Sequence, residues 1–249
     1  GIVKDLHTPV AATPGLIING IRRSLPTYRA FANGNPNYYG MNSIGANVLA
    51  EMDDDYSGAI DDLEKELVAS GSINYKIPGV EGLSAKAFYS YKFENRDLSS
   101  YRKRYELYTY DATDESYAPT VLQNPTALNK SNRNIVQTVF QGSLSYGRTF
   151  ANKHNVKALA LFERRYKNQD FLGASRQFAL KSLSQLDLGN LANQSVNGSA
   201  FFEAREGYVG RLNYDYDNKY LFEFSARYDG SYKLPPATRF AFFPAVSAG

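Results

Sequence analysis

Two arms near the C-terminal end of the sequence constrain the fold more than any other feature. On one arm Tyr208, Gly210, Leu212, Tyr214 and Tyr216 alternate with Val209, Arg211, Asn213 and Asp215. On the other, Tyr220, Phe222, Phe224, Ala226 and Tyr228 alternate with Leu221, Glu223, Ser225, Arg227 and Asp229. Successive strand side chains point to opposite faces, so each arm carries an aromatic-apolar face and a largely charged or polar one. A polar turn, Asp217-Asn218-Lys219, joins them. Soluble sandwiches show alternation too, but their outward positions are rarely this rich in Tyr and Phe. A strand with lipid on one side and a wet lumen on the other needs this pattern. The expectation is an all-β, antiparallel transmembrane β-barrel segment.

Composition agrees with that expectation and excludes other classes. No run approaches the ~20 apolar residues of a membrane helix, and the mean hydropathy is −0.44. A barrel tolerates such a value because half of each strand faces water. The 20 Tyr, 15 Phe and no Trp favour strands with interfacial girdles. With no cysteine there is no disulfide, thiol nucleophile or thiolate metal site. A net charge of +3 with scattered Lys and Arg gives no footprint for nucleic acid. No signal peptide opens the chain.

Along the sequence, residues 1–62 are expected to be an irregular segment of loops and short helices. Pro9, Pro14, Pro26 and Pro36 and the Gly/Asn clusters argue against long elements there, with short helices around Ile18–Arg23 and Ser43–Met52. Residues 63–249 then hold about seven strands. Ala69 to Ile77 and Leu83 to Phe93 flank the turn 78–82, with Phe88 out of phase. Val136 to Tyr146 precede the turn 151–154. In 155–171 both faces are partly apolar, and the lipid side is not assigned. The polar segments 111–132, 172–207 (with an amphipathic, helix-like stretch at Phe178, Leu180, Leu183 and Leu186) and 231–238 are expected as long loops. Short and long connections alternate, as in outer-membrane barrels with tight periplasmic turns and long extracellular loops. Seven strands do not close a bacterial barrel, so a piece of something larger is expected.

The run Tyr208–Gly230 and the following Lys233–Gly249 resemble the SusC/RagA family of TonB-dependent outer-membrane transporters of Bacteroidetes. Matching positions include Gly210, Arg211, Asn213, Tyr214, Tyr216, Lys219, Tyr220, Leu221, Glu223, Ser225, Arg227, Tyr228, Asp229, Gly230 and Ser231. In the second block they are Pro235, Arg239, Phe243, Pro244, Ser247, Ala248 and Gly249, with departures at Leu234, Ala241 and Ala245. The resemblance implies part of a 22-stranded barrel in the cell outer membrane. It also implies a SusD-like surface lipoprotein partner, TonB acting through an N-terminal plug outside this sequence, and nutrient uptake of glycans or peptides.

Candidate sites are few. Asp53, Asp55, Ser57, Gly58, Asp61 and Glu64 match the spacing of an EF-hand calcium loop; a solvated acidic loop is the preferred reading, and no metal ligand is assigned. His154 is read as a solvated turn residue, and neither it nor His7 sits in a catalytic motif. No catalytic or cofactor-binding residue is assigned, and an enzyme is not expected. Lys86, Lys92, Glu94, Arg211, Asp215, Glu223, Arg227 and Asp229 are read as paired charges on a wet wall. Tyr101, Tyr105, Tyr108, Tyr110 and Tyr117 are placed at the outer rim, in packing roles before sugar stacking. The alternative from another class is a soluble or secreted β-rich carbohydrate-binding module, possibly calcium-loaded.

Overall fold

In the computed structural model, which describes residues 1–9, 14–182 and 184–249, one antiparallel sheet dominates the molecule. Its strands are β1 (Ile2–Pro9), β2 (Gly58–Lys76), β3 (Leu83–Arg102), β6 (Thr126–Phe150), β7 (His154–Phe178), β8 (Asn190–Tyr216), β9 (Tyr220–Ser231) and β10 (Phe240–Ala248). They pair in that order, an up-and-down meander broken only by a two-stranded insertion, β4 (Tyr105–Asp111) and β5 (Ser116–Leu122). Seven of the eight sheet strands fall in the expected 63–249 region or begin just before it. The eighth corrects the reading of 1–62 as irregular, because Ile2–Pro9 pairs with Ala59–Glu66.

The strands are long. β6 and β7 have 25 residues and β8 has 27, against the roughly 9–11 needed to cross a bilayer. Their length absorbs much of what the sequence suggested was loop. β7 runs on to Phe178 and β8 starts at Asn190, so the expected segment 172–207 shrinks to a short connection with a 3-10 turn at Leu186–Leu188. Among the described residues the expected amphipathic helix is not formed there: Phe178 ends a strand, Leu186 opens the 3-10 turn, and Leu183 lies outside the described residues. The 111–132 segment likewise folds mainly as β5 and the start of β6.

Tight turns close one edge of the sheet. Ala151 and Asn152, and then Asp217 and Asn218, take φ values of 47°, 57°, 53° and 56°. Left-handed central residues give a turn whose twist matches that of the flanking strands, and Asn and Asp tolerate the conformation best. The turns are tied to their neighbours, Gly147 N–H of β6 donating to Gly82 O at 2.9 Å and Asp217 N–H to Lys153 O of the adjacent turn at 2.8 Å. The three short connections expected at one end do lie at one end.

The opposite end carries a small folded unit. The helices α1 (Pro14–Arg23), α2 (Val48–Met52) and α3 (Asp54–Ser57) precede β2, and α2 and α3 pack with the β4–β5 hairpin. Ala50, Tyr105 and Leu107 form its core, with Tyr39, Met41, Tyr56 and Leu122 around them. Asn47 caps α2 through Ala50 N–H at 3.1 Å and donates to Ala30 O and Gly40 O at 2.8 and 2.7 Å. Leu107 is wholly buried, so Leu107→Ala should cost about 2–5 kcal/mol. That loss is confined to this unit: limited proteolysis should cut within residues 40–58 while the long strands stay protected.

Candidate functional site: a wall with two unlike faces

Little else is buried. Among the described residues only seven apolar side chains are buried, and the accessible surface is 16324 Å². A compact monomer of 27.8 kDa would expose roughly 11,000 Å². The excess exists because one layer of sheet leaves both faces open.

Register places the apolar positions of all seven long strands on a single face. One cross-strand row reads Ile73, Ala87, Gly142, Phe162, Tyr208, Tyr228 and Phe242; the row below reads Tyr75, Ala85, Leu144, Ala160, Gly210, Ala226 and Pro244. Tyr208, Leu212, Phe222, Phe224 and Tyr228 are each 38–46% exposed rather than sealed in a core. The register also settles 155–171: Val156, Ala158, Ala160 and Phe162 share the apolar face, and Leu159 and Leu161 share the polar one.

Aromatic residues and charges bound this face at both ends. At the tight-turn end His154 Nδ1 lies 2.8 Å from the Tyr214 hydroxyl, and its ring rests 5.0 Å from Tyr216. That corrects the reading of His154 as a solvated turn residue; it opens β7 inside an aromatic girdle that includes Tyr220. Arg148 stacks on Phe150 there and pairs with Glu81 at 3.1 Å. At the other end Tyr208 donates to Glu206 at 2.8 Å, and Arg164 approaches the same carboxylate at 4.0 Å.

The other face is polar and internally paired. Arg227 grips Asp229 through two 3.0 Å hydrogen bonds. Glu163 accepts from Arg165 Nε at 2.8 Å and from Gln141 across the strand. Lys92 pairs with Glu66 at 3.1 Å and contacts Glu94. Arg211 lies 4.0 Å from Glu223, which also accepts from Asn213, and Asn155 donates to Asp215 at 3.3 Å. Lys86 shares the face without a carboxylate partner among the described residues. Of these, the Gln141–Glu163–Arg165 group was not foreseen; its members meet only through the β6–β7 register.

The acidic stretch from Asp53 does not curl into a calcium loop. The Asp53 carboxylate caps α3, accepting from Asp55 and Tyr56 N–H at 3.0 and 3.2 Å and from the Tyr39 hydroxyl at 2.8 Å. Gly58 then turns the chain into β2, where Asp61 and Glu64 are drawn out along an extended strand. No group of three potential ligands converges among the described residues.

Asp61 instead serves β1. His7 bridges two carboxylates, Nδ1 to Asp61 at 2.5 Å and Nε2 to Asp54 at 2.6 Å. Both contacts favour imidazolium, so the His7 pKa is raised above 6.5, the Asp61 hydrogen bond contributing most. A raised folded-state pKa stabilises fully below about 6.5 and loses effect as pH climbs through the raised value. Amide exchange of Ile2–Pro9, corrected for intrinsic rates, should therefore speed up between pH 6 and 9. His7→Gln should remove that pH dependence.

The rim tyrosines divide into two groups. Tyr105 is buried, its hydroxyl pushed up to about 12 by desolvation, and Tyr101 donates to Lys181 O at 2.8 Å. Tyr117 stacks on Tyr38 at 4.3 Å, with Tyr108 4.7 Å from Tyr38 and Tyr110 5.1 Å from Tyr117. The packing role expected of Tyr101 and Tyr105 is what they perform; Tyr108, Tyr110 and Tyr117 form an aromatic cluster with Tyr38.

No protein-family model matches the chain. It is 24% identical over 211 residues to TonB-dependent receptor P3 of Formosa agariphila, a match covering 83% of this chain and 19% of that protein. Its fold matches the RagAB peptide transporter with a TM-score of 0.64 at 21% identity, over 76% of this chain and 20% of that one. The RagAB peptide importer in its "closed-closed" state gives the same TM-score, and in its "open-open" state 0.63. The chain thus spans about a fifth of the length of the relatives it matches. The chain is therefore similar in sequence to part of a TonB-dependent receptor, and its antiparallel meander shares its fold with a stretch of the RagAB peptide transporter.

Proposed function

We propose that the chain forms part of the wall of an outer-membrane importer, its apolar face against lipid and its ion-paired face lining the passage. The height of the apolar band carries this reading. Along β8 the apolar face runs from Tyr216 until the charge of Glu206, ten residues away. At ~3.3 Å per residue that is ~33 Å, and a strand tilt of ~40° reduces it to ~25 Å along the membrane normal. Barrel walls carry an apolar band of that height between aromatic girdles. A soluble carbohydrate-binding module would have to bury these rings, and no second layer covers them among the described residues.

In this frame the turns 78–82, 151–154 and 217–219 face the periplasm. Residues 63–249 without the β4–β5 hairpin supply the wall; that hairpin and most of 1–62 build the outer rim. Uptake is driven through TonB, with a SusD-like lipoprotein over the rim, and the solute is a peptide or glycan. The RagAB transporter's description as a peptide importer supports the peptide. The chain contributes no catalysis in this reading. The test is made on the full-length protein in its own bacterium. Tagged transporter should fractionate with the outer membrane and co-purify a surface lipoprotein, and its deletion should abolish proton-motive-force-dependent uptake of labelled oligopeptides or oligosaccharides. Recovery as a monomer from a detergent-free soluble fraction would refute it.

A further inference from the structure

Four arginines converge on one concavity of the polar face, and one of them has no counter-charge among the described residues. The concavity, about 600 Å³, lies between β7, β8, β9 and β10 under the Ser231–Thr238 connection, with Leu234 and Phe243 in its lining. Arg165 is held by Glu163 at 2.8 Å, Arg205 by Glu203 at 2.8 Å and Arg227 by Asp229 at 3.0 Å. Arg239 forms no ion pair among the described residues, and its Nε is enclosed without a hydrogen-bond acceptor. An enclosed guanidinium donor left unmatched is costly, and an anion is the acceptor that would also balance its charge.

We propose that Arg239 is the anchor of a carboxylate-binding site for solute entering the passage. The planar fork of a guanidinium matches a carboxylate in two parallel hydrogen bonds. Charge selects the same ligand. Three of the four positive charges are already neutralised by Glu163, Glu203 and Asp229, and Glu206, in the lining, lies 4.0 Å from Arg164, leaving room for one negative charge. A phosphate monoester, carrying about −1.5 to −2, would meet Asp229 and Glu163 with charge to spare. The ring of Phe243 and the Leu234 side chain give the concavity an apolar wall, suited to the carbon skeleton of an amino acid or a sugar acid rather than to a free inorganic ion. The concavity is level with Glu206, where the apolar band of the other face ends, so an acidic solute meets it at the mouth of the passage.

This placement at the mouth rests on the importer reading, but binding is measured without transport, so a transporter that binds and does not import would sink that reading alone. Full-length transporter in detergent is titrated with dansyl-triglutamate and with dansyl-triglutamine amide, its neutral counterpart, following fluorescence anisotropy. The native protein should bind the acid and not the amide. Arg239→Gln should weaken the acid by about 10- to 100-fold, the range of a hydrogen-bonded charge. Arg148→Gln, at the tight-turn end, should leave affinity unchanged. Should Arg239→Gln not fold, Arg239→Lys, which keeps the charge and loses the fork, is expected to weaken binding several-fold. Competition by trigalacturonate then distinguishes a sugar acid from an acidic peptide. Equal binding of acid and amide, unaltered affinity in the Arg239 variants, or no binding to native protein at millimolar acid would overturn the proposal.

Discussion

Leu212→Arg should cost the folded wall about 2–4 kcal/mol in a bilayer, while Asn213→Arg, one residue on, should cost less than about 1 kcal/mol. Leu212 lies near the middle of the apolar band, in a row with Ala158 and Phe224, and is 41% exposed to whatever covers that face. If lipid covers it, the guanidinium must reach the interface from the deepest point available. Asn213 points the other way, between Lys157 and Glu223. An arginine there exchanges one hydrogen bond to Glu223 for an ion pair with it. Denaturation of the full-length protein in lipid vesicles measures both. A soluble sheet would give two mild and similar effects, because arginine at an exposed position of either face would meet water.

Gly58→Ala should detach the rim unit while leaving the wall intact. Gly58 has φ 98° and ψ 175°, a region only glycine occupies comfortably, and the backbone alone would cost about 1–3 kcal/mol for any other residue. A Cβ would also stand 1.9 Å from Tyr101 O and 3.0 Å from Lys103 N. Neither contact can relax by a side-chain rotation, so β2 and β3 must part at this point. The Lys103 N–H to Ser57 O hydrogen bond of 2.9 Å, which ties α3 to the end of β3, would break with them. Trypsin should then cut near Lys103 while the fragment containing β6 to β10 survives. Resistance equal to the native protein's would show that Gly58 does not hold the rim unit to the wall.

What the sequence made legible tracks where one face is apolar and the other polar. Along both arms between Tyr208 and Tyr228 every second residue is aromatic, apolar or glycine, so strand, face and turn could all be read by eye. Beyond the band polar residues occupy both faces and the alternation fades. That is why Ile2–Pro9, with Lys4, Asp5 and His7 set among its apolar residues, passed for irregular chain. The same cause hid the outer half of β8, where Asn190–Ser199 is mostly polar, with no alternation of faces, yet extended. In 155–171 the difficulty was of another kind. Leu159 and Leu161 sit on the polar face beside Arg211 and Val209, and only the pairing with β8 identifies them as inward neighbours of an ion-paired wall. Individual charges were legible as a face but not as partners. Arg239 and the Gln141–Glu163–Arg165 group depend on which residues stand opposite one another, and no single strand records that.

The most direct test of the two-faced wall uses the absence of cysteine from this chain. Single cysteines at each position from Tyr208 to Tyr216, in full-length protein with any cysteine outside this chain replaced and reconstituted in bilayers, would be spin-labelled and their relaxation by oxygen and by a water-soluble nickel chelate compared. Oxygen, enriched in lipid, should dominate at positions 208, 210, 212, 214 and 216, and the nickel complex at 209, 211, 213 and 215. Equal access of the nickel complex to both sets would mean that no membrane covers the aromatic face, and the transporter account would fail.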